Sequence, residues 1–145
     1  MNKLVAQTLA KKENGEKGFT LIELLVVVII IGILAAIAIP IFLNMRQGAW
    51  RSSVESDVTN AVLVVEQATT ANNGSTTGLT FTAGAARGDA FTYGDLTGTV
   101  SDGNQIAIAA GTTTNSYTIT GDNENITDEE YVYDSSTGTG EWVAQ

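Results

Sequence analysis

The side chains that could do acid–base or ligand chemistry in this chain are almost all carboxylates. Of its 145 residues 16 are Asp or Glu, and there is neither histidine nor cysteine. That composition excludes Ser-His and Cys-His nucleophilic catalysis, thiolate chemistry and the usual zinc ligand sets. Two carboxylate-only options remain. A glycosidase pair needs two acidic groups at a set separation, and the sequence singles out no such pair. An oxygen-rich cation site is the other. Asp122-Asn-Glu124-Asn, followed by Asp128, Glu129 and Glu130, is dense in ligands that suit Ca²⁺. Asp122, Glu124 and Asp128 are weak candidates, because the spacing is not that of an EF-hand loop and a charge run is ordinarily a solvated surface. There is no glycine loop of the phosphate-cradling kind. The expectation is a protein that is not an enzyme and carries no cofactor.

One carboxylate is out of place. The stretch GFTLIELLVVVIIIGILAAIAIP runs from Gly18 to Pro40 with a single charge, at Glu23. Leu24 to Leu43 follows without any charge, and a helix of that length spans ~30 Å, the thickness of a bilayer core. A plain signal anchor would account for the apolar run. So would a secretory signal peptide, cut after the small-x-small triplet Ala36-Ile37-Ala38. The apolar character continues through Ile41, Phe42 and Leu43, however, past the point where a signal peptide ends. Neither reading explains Glu23, since a carboxylate in a membrane segment costs roughly 2.5 kcal/mol or more unless it finds a partner or lies near the interface.

Charge is unevenly distributed. The net value is −9, yet Lys3, Lys11, Lys12 and Lys17 all precede the run, and only Arg46, Arg51 and Arg87 are basic after it. The lysines read as a topological signal that keeps the N-terminus in the cytoplasm while the rest crosses the membrane. The acidic remainder repels phosphates, so no direct contact with nucleic acid is expected.

The unbroken order Lys17-Gly-Phe-Thr-Leu-Ile-Glu23, followed by the long apolar run and Pro40, closely resembles the N-terminus of type IV pilins and the related pseudopilins of type II secretion systems. The resemblance covers roughly residues 17–46. It implies that a prepilin peptidase cuts after Gly18, that Phe19 is then N-methylated, and that 1–18 is a cleaved leader. It implies a role for Glu23 in setting register, by pairing with the new amino terminus of Phe19 on a neighbouring subunit. A buried, desolvated pair of that kind penalises the wrong register. Gly32 and Pro40 are expected to weaken or kink the helix, proline because it lacks the N–H that would bond the Ala36 carbonyl.

Stepping along the chain, the elements that must present these residues are legible. Residues 19–43 form the membrane or fibre-core half of a helix. Trp50, Val54, Val58, Ala61, Val62, Val65 and Ala68 recur at three- and four-residue steps, with Arg51, Ser52, Glu55, Asp57, Asn60 and Glu66 on other faces. This predicts an amphipathic half-helix over 44–71, stopped by Asn72-Asn-Gly74. Short alternating runs follow, at Leu79–Thr82, Phe91–Tyr93, Gln105–Ala109, Ser116–Thr120, Glu130–Tyr133 and Trp142-Val143, with a hairpin connection over Ser135–Gly140. They predict an antiparallel sheet of about four strands over 79–145. The fold class expected is α+β, a long N-terminal helix packed on a small antiparallel head spanning 44–145. With no disulfide available, strand pairing and burial of Tyr131, Tyr133 and Trp142 must hold the C-terminal segment. Asn73-Gly-Ser75 and Asn125-Ile-Thr127 match the N-glycosylation pattern, which chance often produces.

The resemblance implies a major-type pilin: a structural subunit that polymerises through its N-terminal helices into an extracellular fibre for adhesion and twitching motility. Retention of the glutamate suits a bulk subunit. The alternatives are a major-type pseudopilin or a competence pilin involved in DNA uptake. The implied partners are further copies of the chain, the prepilin peptidase, an inner-membrane assembly platform with its ATPase, and membrane lipid before assembly. The implied location is the cytoplasmic membrane, then the cell surface.

Overall fold

A computed structural model describes residues 18–145; the leader expected over 1–18 therefore lies, apart from Gly18, outside the described residues. The chain divides into two units, 1–42 and 43–145. One helix, α1 (Leu21–Ala71), contributes to both. Within the first unit it carries the apolar run, whose Leu and Ala residues favour a helical backbone and whose Val and Ile residues are tolerated once a single rotamer suffices. Gly32 and Pro40 both lie inside the helix. At Pro40 the ladder lacks one donor, yet helical structure continues on both sides.

The second unit is a self-contained α+β head. Val54, Val58, Ala61, Val65 and Ala68 of α1 are buried, as their spacing requires. The helix ends where the sequence says it must: Asn73 and Gly74 both take positive φ. The Gly74 amide donates to the Thr69 carbonyl at 2.8 Å and the Asn72 amide to the Ala68 carbonyl at 3.0 Å. These bonds satisfy carbonyls that a helix end leaves orphaned.

The strands form two sheets where one of about four strands was expected. β1 (Phe81–Thr82), β2 (Phe91–Tyr93) and β3 (Leu96–Gly98) make a small antiparallel sheet. β4 (Asn104–Ala110), β5 (Tyr117–Asn123), β6 (Ile126–Asp134) and β7 (Thr139–Ala144) make an antiparallel meander in chain order. The strand absent from the sequence reading is β3. It pairs with β2 across Gly94-Asp95, with Tyr93 opposite Leu96 and Phe91 opposite Gly98. The Phe91 ring lies over that glycine so closely that a Cβ at Gly98 would meet ring carbons at 2.1 and 2.3 Å. The expected hairpin between the last two strands is present. Asp134 closes it by accepting from the Ser136 amide at 2.8 Å and hydroxyl at 2.7 Å, and these bonds hold its carboxyl below the usual range.

Ile106, Ile108, Tyr117 and Ile119 from the larger sheet and Phe91 and Tyr93 from the smaller one complete the core with α1. Gly121 sets the approach of helix and sheet: a Cβ there would come within 2.6 Å of Val58 and 2.8 Å of Val54. The C-terminal strand is fastened without a disulfide. β7 pairs with β6 from Thr139 to Ala144. Trp142 Nε1 donates to Glu55 Oε1 on the helix at 2.8 Å, Arg51 lies 5.5 Å over the same indole, and Arg51 also pairs with Glu129. Tyr131 packs on Trp142 with ring centres 5.5 Å apart.

Candidate functional site

Glu23 lies in the first turn of α1, and the residues before it explain its position. Gly18, Phe19 and Thr20 are exposed and outside the helix. Thr20 is the N-cap. Its backbone amide donates to Glu23 Oε2 at 2.8 Å, its hydroxyl donates to the same oxygen at 2.7 Å, and the Glu23 amide donates to Thr20 Oγ1 at 3.3 Å. This is a capping box, which satisfies two otherwise orphaned helix N–H groups reciprocally. A carboxylate at this end of a helix is also favoured by the helix dipole. Sequence reasoning missed this cap, although its signal, Thr20-x-x-Glu23, stands in the sequence. The apolar run drew attention to the cost of the charge, while the capping box supplies a local offset.

Around this capped end the apolar surface is uncovered. From Leu21 to Leu43 the large hydrophobic side chains are 46% to 81% exposed, and Phe19 is 83% exposed. Among the described residues one helix is long and apolar enough to cross a membrane, judged by length and composition.

The structure brings Gly18, Phe19 and Glu23 together at one end, with Gly32 and Pro40 further along the same helix. It does not bring the acidic run of the head into a cluster. Asp122 on β5 is engaged by Arg87, Glu124 sits in the β5–β6 turn beside Gly103, and Asp128 lies on β6. Among the described residues no group of three or more Asp, Glu, His or Cys side chains is placed to hold a metal ion. Asn73 is exposed in the turn after α1, and Asn125 Nδ2 donates to Asn123 Oδ1 at 3.1 Å.

One polar group in the head is a correction to the sequence reading. Asp57 is expected on a face away from the apolar stripe; it is nevertheless only 4% exposed. Ser101 donates to it through its amide at 2.8 Å and its hydroxyl at 2.9 Å, and Asn104 Nδ2 donates at 2.7 Å. Asn104 also reaches Ser53 at 3.0 Å and accepts from Asn123 at 2.6 Å. A buried carboxylate survives because every oxygen has a donor. The network ties α1 to the start of β4 and the end of β5.

A family model described as the prokaryotic N-terminal methylation motif matches residues 14–39. The major component of the type IV narrow pilus of Thermus thermophilus is 52% identical over 40 residues, covering 28% of this chain and 34% of that one. A fimbrial protein of Moraxella nonliquefaciens is 69% identical over 29 residues, 20% of this chain and 19% of that one. The N-terminal segment is thus similar to that of type IV pilins and pseudopilins. The pseudopilin side of the family is represented by the type II secretion system core protein G of Klebsiella michiganensis, 38% identical over 47 residues, 32% of this chain and 33% of that one. The chain thus spans about a third or less of the length of these relatives, and the match rests on the pilin segment. No solved structure matches.

Proposed function

We propose that this chain is a major-type pilin, the bulk structural subunit of a type IV pilus that serves adhesion and twitching motility. The observation that carries the reading is the exposed apolar half of α1 with a single capped carboxylate at its N-terminal end. Such a surface is stable only in lipid or against copies of itself. Stacking of copies by one repeated, non-closing contact gives a fibre.

The steps follow from the arrangement. The exposed, non-helical Gly18–Thr20 segment is open to a prepilin peptidase, which cuts between Gly18 and Phe19; Phe19 is then N-methylated. The new amine stands one residue before the cap. In the free subunit Glu23 is held by its own Thr20. In the fibre it exchanges that local partner for the Phe19 amine of a neighbour, so that only the correct register leaves no buried charge unpaired. Pro40 and Gly32 supply the weak points at which the helix bends as it packs. An inner-membrane platform and its ATPase drive the transfer from bilayer to fibre.

The similarity to core protein G supports a second reading, a major-type pseudopilin in a short periplasmic fibre. Shearing surface fibres from the native cell, followed by intact-mass and N-terminal analysis, separates the two. A dominant sheared species beginning at methylated Phe19 supports the pilus. Processed chain confined to the envelope supports the pseudopilus, and a chain beginning at Ile39 contradicts both.

A further inference from the structure

The two tryptophans of the head have different surroundings. Trp142 packs against the core and bonds Glu55. Trp50 is half-buried, does not belong to the core or to the side chains packed on it, and is covered instead by the Arg46 guanidinium, 4.9 Å from the ring centre. Arg46 is exposed and is one of only three basic residues after Lys17. An otherwise acidic head therefore carries a cation stacked on an indole within its first two turns.

The position of this pair is set by the helix rise. Arg46 follows the last residue of the charge-free run, Leu43, by three positions, or ~4.5 Å along a helix. Trp50 lies one turn further, but helical side chains lean toward the N-terminus and cover the preceding turn. The stacked pair thus occupies a level roughly 5 Å beyond the apolar run, and the headgroup layer on each side of a hydrocarbon core is about that deep. Indole rings concentrate at that depth, and arginine there meets lipid phosphate.

We infer that Arg46 and Trp50 form an interfacial anchor that seats the unassembled subunit in the outer headgroup layer of the membrane, with the guanidinium on phospholipid phosphate and the indole among the glycerol and headgroup atoms. The inference rests on the membrane reading of the apolar run. It fixes the depth at which the acidic head is held, and the contact must be surrendered when the subunit leaves the bilayer.

The test uses the full chain reconstituted in vesicles of phosphatidylcholine and phosphatidylglycerol, with W142F leaving Trp50 as the only indole. Quenchers are placed either near the headgroup or at the end of the acyl chain. The expected result is blue-shifted Trp50 emission, quenched preferentially by the headgroup probe, with both features reduced in W142F/R46E. The W50F variant, in which the native Trp142 reports, should show no preferential quenching by the headgroup probe and controls for an intact head. Should Trp142→Phe disturb the fold, 5-fluorotryptophan in the otherwise unchanged chain, read by fluorine resonance with a headgroup-bound paramagnetic lipid, gives the same readout residue by residue. If the chain floats with vesicles while Trp50 is quenched by aqueous iodide as strongly as in the vesicle-free chain, the anchor is refuted and the membrane reading stands. If the chain does not float with vesicles, both are refuted.

Discussion

Val26, Val27 and Val28 are 46%, 51% and 66% exposed, whereas Val54, Val58 and Val65 of the same helix are at most 1% exposed. The residue type and the backbone are the same. The difference lies in what the rest of the chain offers. The second set meets Ile106, Ile119 and Phe91, and its burial stabilises a head that needs no other molecule. The first set meets nothing within its own unit, so its ~1.5–3 kcal/mol per large side chain is available only from lipid or other copies. One helix thus divides folding from assembly. Changes in the head should alter stability and leave membrane association intact; changes at the capped N-terminal end should leave head stability intact and alter fibre yield.

The largest expected effect on the folding side comes from Ile119→Ala. Ile119 is fully buried at the centre of β5, and its truncation should lower head stability by about 3–4 kcal/mol. Urea denaturation of the full chain in detergent checks this through the midpoint, with vesicle association unchanged. Asp57→Ala should cost somewhat less, about 2–3 kcal/mol, because it strands the Ser101 and Asn104 donors in the interior. A neutral outcome in the same denaturation would show that water replaces the carboxylate at that site.

A third test is alkaline. Burial, followed by the hydrogen bond to Glu66 at 2.5 Å, pushes the Tyr117 phenol well above its usual value of 10.0. The folded state therefore holds the proton where the unfolded chain releases it. The associated stability is fully present below pH ~10 and declines as pH rises above it. The urea midpoint of the native chain should fall across that range, and Tyr117→Phe should flatten the decline. The smallest effect is expected for Arg51→Gln, which removes a partly exposed pair with Glu129 and the contact over Trp142. About 1 kcal/mol or less should be lost from the midpoint.

Periodicity made the divided helix readable from sequence. The stripe from Val54 to Ala68 follows a helical repeat, and Asn72-Asn-Gly74 stops it with residues suited to positive φ. The hairpin before β7 was equally legible, since SSTGTG separates two alternating runs. Asp57 was not, because a carboxylate inside an amphipathic helix reads as solvated unless its donors are known, and these come from Ser101 and Asn104, more than 40 positions away. Nor was β3, three residues long and ending in a glycine against which the Phe91 ring packs. At the candidate site, Gly18, Phe19 and Glu23 are singled out by their spacing and the family resemblance. The capping role of Glu23 stood in the same spacing, and only the geometry shows that a free subunit has a local partner for the charge.

That dual setting makes Glu23→Gln the most direct measurement. Glutamine keeps the capping box, which accepts either residue, and removes the charge. On the proposed pairing, sheared-fibre yield from the native cell should fall by about tenfold or more, since the Phe19 amine of a neighbour would lose its counter-charge. Cleavage after Gly18 and the urea midpoint of the head should stay as in the parent chain. Fibres at parental yield would contradict the account, because Glu23 would then be a helix cap and nothing more.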